Sequence, residues 1–145
     1  SGRVVIRDVI VSVAPILYVT GVKWLVERPR PITSVGSGLL PGDPSFPSGH
    51  TAAAVIVSVM MILIVRNFGR SRFPDGEDDE RANRRRVFLR RAIIGAVALV
   101  VAVACSRLLL GLHYPTDVII SATICPLISY AVWCVWNACE SAEEW

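Results

Sequence analysis

The chain is short of charge. Only 19% of its 145 residues are Asp, Glu, Lys or Arg, while 53% are hydrophobic and the mean hydropathy is +0.54. A soluble domain typically carries about 25% charged residues. Metal-binding patterns are missing too. Cys105, Cys125, Cys134 and Cys139 form no CxxC or Cys/His spacing. They lie in or beside apolar stretches and read as small buried hydrophobes. No Asp/Glu cluster suits Mg²⁺ or Ca²⁺, and two histidines without supporting ligands make a poor zinc site. No metal and no cofactor is therefore expected. There is no secretory leader pattern, no internal repeat and no low-complexity tract. The net charge of +3 is a weak signal and suggests no nucleic-acid partner.

The apolar residues gather in four blocks, at about Val4–Val26, Thr51–Val65, Val87–Leu112 and Val118–Trp136. A membrane helix needs roughly 20 residues, and the second block reaches that length if its helix begins near Ser48. Each block is apolar on all sides, which suits a helix in lipid better than one on a protein surface. A soluble four-helix bundle of this size would have too little interior to hide them. The expected fold is all-α, an integral membrane bundle with four transmembrane helices in a single domain over residues 1–145.

The segment Arg66–Arg91 contains nine arginines beside the acidic patch Glu77-Asp78-Asp79-Glu80. Acidic residues count little in the positive-inside rule, so residues 67–86 are expected to be a charged cytoplasmic loop. Arg3 and Arg7 put the N-terminus on the same side, and four crossings return the C-terminus there. Trp24, Tyr114, Trp133 and Trp136 sit near the expected interfaces. The expected location is a multi-pass protein of the plasma (inner) membrane.

Three polar clusters break the apolar pattern, and all fall on the outer side. The first runs from Lys23 to Arg30-Pro31, the second is Pro47-Ser48-Gly49-His50, and the third runs from Ser106-Arg107 to His113 and Asp117. Taken singly, each has a plain explanation. Lys23 suits a snorkelling anchor, Arg30 a solvated loop charge and His50 a helix cap. Pro47-Ser48-Gly49 starts a helix well, and the free N–H groups of Ser48, Gly49 and His50 at such a start bind anions. Arg107 costs about 2.5–3.5 kcal/mol if it sits deep in a span, so either it snorkels or it meets an anion between helices. Pro115 ends the third helix before Tyr114 and starts a fourth. His113 is then in the bend, and Asp117 in the next first turn reaches back to it. A carboxylate on one imidazole nitrogen fixes the tautomer and leaves the other nitrogen free as a nucleophile. Taken together, three cations, a helix start, two histidines and a carboxylate suit a phosphoryl group.

The three clusters resemble the signature of the type 2 phosphatidic acid phosphatase family: K-x6-R-P, P-S-G-H and S-R-x5-H-x3-D. Lys23–Pro31, Pro47–His50 and Ser106–Asp117 match it without substitution. The resemblance implies that His113 is the nucleophile, giving a phosphohistidine, with Asp117 orienting it and His50 as general acid. Lys23, Arg30, Ser48, the Gly49 amide and Arg107 would hold the phosphoryl oxygens. Membrane members of the family typically have six helices against the four counted here, so either two N-terminal helices are absent from this chain or it is a minimal version. The implied activity is hydrolysis of a lipid phosphate or diphosphate. A polyprenyl diphosphate is the first expectation, with phosphatidylglycerol phosphate, phosphatidic acid or a prenyl-linked sugar phosphate next. A phosphotransferase using the same site, and a non-catalytic protein that binds anionic lipids, are the alternatives. The oligomeric state is left open.

Overall fold

The computed structural model describes residues 2–31, 42–72 and 79–143. Among them are four helices and no strand: α1 (Gly2–Val26), α2 (Gly49–Arg72), α3 (Asp79–Leu109) and α4 (Pro115–Glu143). All four are long and apolar enough to cross a membrane, as the four apolar blocks predicted. The arginine-rich segment differs from its expectation as a loop over 67–86. α2 continues to Arg72 and α3 starts at Asp79, while residues 73–78 lie outside the described residues. Arginine is a good helix former, and an i,i+4 pair between Glu80 and Arg84 at 2.6 Å supports the start of α3.

The helices pack through narrow stripes of small side chains. On α1 the buried stripe is Asp8, Ser12, Pro15 and Val19, a helical spacing of three and four residues. Val19 of this stripe packs in one buried cluster with Ala52 and Val55 of α2 and Cys125 of α4, and Ser12 Oγ lies 3.8 Å from Met60 Sδ of α2. Lipid tails are as apolar as leucine, so close approach of small residues favours association in a membrane more than burial of large ones does. The large aliphatic side chains point away from the bundle: Leu17, Leu25, Val57, Ile64, Ile94 and Leu127 are all exposed. α3 is the most peripheral helix and packs chiefly along α2, where Ser58 Oγ donates to the Ala96 carbonyl at 3.3 Å. Of the four cysteines only Cys125 is buried. Cys105 and Cys139 are exposed and Cys134 is half-buried, because their positions fall on the outward faces of α3 and α4.

The buried charges Arg7 and Asp8 of α1 are paired. Arg7 Nε and Nη2 donate to Asp8 Oδ1 at 2.9 and 2.8 Å, and Asn67 Nδ2 of α2 donates to the other oxygen of the same carboxylate. This group lies at the arginine-rich end of the bundle, opposite the end where α1 and α3 finish and α2 and α4 begin. The pair is almost wholly buried. Asp8→Ala strands the Arg7 guanidinium without a counter-charge, and is expected to cost about 3 kcal/mol. The check is a fall in the thermal unfolding midpoint in detergent, with Arg7→Met added to Asp8→Ala restoring most of the loss. A double variant no more stable than the single one would reject this account.

Candidate active site

Two connections, α1 to α2 and α3 to α4, build one end of the bundle. α1 ends with Glu27 in the left-handed region (φ 45°), its N–H donating to the Lys23 carbonyl at 3.0 Å. That closes the helix and sends Arg28-Pro29-Arg30-Pro31 across the bundle end. Residues 43–46 run back beside this segment. Ser45 N–H donates to the Arg28 carbonyl at 2.8 Å and Ser45 Oγ to the Pro29 carbonyl at 3.1 Å. α3 ends in a Schellman reversal: Gly111 adopts φ 64°, with Gly111 N–H on the Leu108 carbonyl and Leu112 N–H on the Arg107 carbonyl. Glycine takes this backbone shape without a steric penalty, and the reversal turns His113 back toward α2. α4 then begins at Pro115, as expected for proline at a first helical position. Asp117 Oδ2 accepts the Tyr114 N–H at 2.9 Å, which caps α4.

These connections surround a cavity of about 280 Å³ lined by Lys23, Arg30, Asp43, Gly49, His50, Ala53 and His113. Five of the eight sequence-predicted site residues therefore line one space. The other three stand around it. Asp117 is fully buried behind His113. Ser48 caps α2, its hydroxyl accepting from Thr51 Oγ1 at 3.0 Å, and its N–H is spent on the Asp117 carbonyl at 3.1 Å. The sequence expectation that the Ser48 N–H is free for an anion is thus corrected. Pro47 precedes the helix rather than opening it. Arg107 is half-buried, donates to Ser106 Oγ at 3.2 Å and does not line the cavity, although its charge acts on His50.

The imidazole of His113 has two distinct sides. Nδ1 lies 2.8 Å from the Ser45 carbonyl and 3.5 Å from Asp117 Oδ2. A carbonyl can only accept, so Nδ1 carries the proton and Nε2 keeps its lone pair. Nε2 lies 3.4 Å from Arg30 Nη1. The nearest tautomer-fixing partner is therefore the Ser45 carbonyl, where the sequence reading expected Asp117. Asp117 Oδ1 instead accepts from Arg28 Nη1 at 2.9 Å. Arg28 also donates to Thr116 Oγ1 at 2.7 Å and lies over the Tyr114 ring, 3.9 Å from its centroid.

Sequence reasoning missed Ser45, Arg28 and Asp43. Ser45 acts through its backbone, which carries no residue-type signal. Arg28 is two residues from Arg30 and was indistinguishable from a solvated charge. Asp43 is more consequential. Its carboxylate accepts from both Lys23 Nζ and Arg30 Nη2, the latter at 2.7 Å. Burial alone would raise its pKa, but hydrogen bonds and charges from Lys23 and Arg30 outweigh that and hold it below the ordinary carboxylate value.

Burial lowers the pKa of His113, and the nearby Arg30 charge adds to this. Together they outweigh the opposing help of the Ser45 carbonyl and Asp117. The ring therefore stays neutral as pH falls past the ordinary histidine value of 6.5, and stability dependent on a neutral His113 is lost only on the acid side of that value. In ¹⁵N NMR of labelled protein, the His113 midpoint is expected below 6.5, with the Nδ1–H tautomer above it. A higher midpoint, or an Nε2–H tautomer, would contradict this geometry.

A search of curated proteins found no match to the chain, and a search of solved structures found none. The sequence model of the PAP2 superfamily, in contrast, matches residues 6–140, a stretch that includes α2, α3, most of α1 and α4 and every residue of the cavity. With that match, the resemblance first read from three short clusters extends across nearly the whole chain, which belongs to the PAP2 superfamily.

Proposed function

We propose that the protein is an integral membrane lipid phosphatase that works through a phosphohistidine at His113. Membership in the PAP2 superfamily supports the general activity, hydrolysis of a phosphate ester. One observation carries the finer reading. The unprotonated Nε2 of His113 faces a cavity ringed by Lys23, Arg30 and His50, while Nδ1–H is held from behind by the Ser45 carbonyl.

In this reading Nε2 attacks the phosphorus of a lipid phosphate, an N–P bond forms, and the P–O bond to the lipid breaks. His50 supplies the proton to the departing oxygen. The positive charge that develops on the His113 ring is met by the Ser45 carbonyl and by Asp117, itself anchored by Arg28. Lys23, Arg30 and the Gly49 amide bind phosphoryl oxygens, and Arg107 adds positive field near His50. Water, losing a proton to His50, then attacks phosphorus, and the N–P bond breaks to release inorganic phosphate. Fixed cations meet the charge of the transferring group, so no metal ion is required.

A lipid substrate is supported by the surroundings of the cavity. Trp24, Leu25, Leu109 and Leu110 expose large apolar surfaces at the same end of the bundle, where an acyl or prenyl tail could lie. A polyprenyl diphosphate is the first choice, followed by phosphatidylglycerol phosphate and phosphatidic acid. The arginines of α2 and α3 crowd the opposite end, so the positive-inside rule turns the cavity to the extracytoplasmic face of the plasma membrane.

The test is phosphate release from a panel of lipid phosphates by purified protein in detergent. EDTA is expected to leave the rate unchanged, and His113→Ala to lower it at least about a thousandfold. Full activity in His113→Ala rejects the nucleophile. Strict dependence on an added divalent metal rejects the mechanism. Label passing to a second lipid instead of water identifies a phosphotransferase, and no turnover by wild-type protein on any lipid phosphate leaves only anionic-lipid binding. Orthovanadate, which takes the five-coordinate geometry of the transition state, is expected to inhibit at roughly micromolar concentration. Indifference at about a thousand times that level argues against the cavity as a phosphoryl site.

A further inference from the structure

The cation pair of the cavity is already bridged by an anion from the chain itself. The two oxygens of the Asp43 carboxylate are divided between two cations: Oδ2 accepts from Lys23 Nζ, and Oδ1 accepts from Arg30 Nη2 at 2.7 Å. The other terminal nitrogen of Arg30 lies 3.4 Å from His113 Nε2. Asp43 therefore fills, beside the nucleophilic nitrogen, two positions that two oxygens of a phosphoryl group would fill.

The cations are well buried and the carboxylate is not. Side-chain exposure is 13% for Lys23 and 8% for Arg30, against 47% for Asp43. An ion pair with one half-exposed partner is weak and exchangeable, whereas leaving two buried cations without any anion is costly. The same cations also hold the backbone of this segment. Lys23 Nζ donates to the Pro44 carbonyl at 2.6 Å and Arg30 Nε to the Asp43 carbonyl at 3.2 Å. Ser45 is tied to Arg28, Pro29 and His113. The segment thus has anchors that do not depend on the Asp43 side chain, and the carboxylate alone is free to leave.

We infer that Asp43 is a specificity-determining residue, a resident anion that the phosphoryl group of the substrate must displace from Lys23 and Arg30. The inference rests on reading the cavity as a phosphoryl site. Its consequence is a threshold of charge. A phosphate monoester or a terminal diphosphate brings two negative charges to one phosphorus and outcompetes a carboxylate that brings one. A phosphodiester brings a single charge and gains nothing from the exchange, so it is excluded on electrostatic grounds. The same competition acts on the product. When inorganic phosphate has formed, the returning carboxylate weakens its hold on the cradle and assists its release.

The test is calorimetric titration of the detergent-solubilised protein with inorganic phosphate, above the second ionisation of phosphate, and with dimethyl phosphate as a singly charged diester. Asp43→Asn removes the charge and keeps the shape, and Asp43→Glu keeps the charge. Asp43→Asn is expected to bind inorganic phosphate about tenfold more tightly than wild type and to gain measurable affinity for dimethyl phosphate. Asp43→Glu is expected to behave as wild type. Unchanged or weaker phosphate binding in Asp43→Asn overturns the inference, because Asp43 would then only organise the two cations. This readout needs no turnover. Tighter binding in Asp43→Asn alongside full activity in His113→Ala would retain the resident anion and reject the nucleophile. Wild-type and Asp43→Asn proteins that both bind no phosphate overturn both readings.

Discussion

One carboxylate holds the cavity end of this bundle together. Asp117 is fully buried, and its side chain accepts from Arg28 and from the Tyr114 N–H while lying 3.5 Å from His113 Nδ1. Its backbone carbonyl accepts from Ser48 N–H. Through these contacts it joins the segment after α1, the start of α2, the reversal after α3 and the first turn of α4. A buried carboxylate is tolerated only when its charge is met, and Arg28, half-shielded over the Tyr114 ring, meets it. Capping of α4 and orientation of His113 are therefore not alternatives for Asp117, because the same Oδ2 faces both groups.

The surrounding bundle shows why so much polarity collects at its ends. Between the ends, the interfaces mix Val with Ser, Ala, Thr and Cys, and hydroxyls there bond to backbone carbonyls, as Ser12 does to Asp8 and Ser121 does to Asp117. Such groups add no charge to a region where charge is expensive. Cations go to the two boundaries instead. At one end they cluster as arginines on α2 and α3. At the other, Lys23 and Arg30 are drawn inward because Asp43 and the Leu112 carbonyl give them partners there. The cavity is thus assembled from charges that the rest of the chain cannot accommodate, and the Asp43 carboxylate meets two of them.

The four spans were legible because each depends on a local property, the length and apolarity of one segment. The start of α4 was legible for a similar reason, since Pro115 acts on its immediate neighbours. Lys23, Arg30, Gly49, His50 and His113 were legible as a group because three spaced clusters carry them. The extent of α2 and α3 into the arginine-rich segment was not, since charge suggests solvent exposure and says little about backbone conformation there.

What the amino-acid order determined by itself was the set of helices, the side of the bundle where the polar clusters meet and the identity of most groups around the cavity. Only the tertiary structure decided how those groups are divided. It put Ser48 on a helix cap, Arg107 on the Ser106 hydroxyl rather than in the lining, and the Ser45 carbonyl instead of Asp117 closest to His113 Nδ1. It also set Asp43 between two cations twenty and thirteen positions away. The reason is physical: a backbone carbonyl is the same at every position, and a carboxylate's partner is chosen by distance in space. Neither is written in the spacing of residues along the chain.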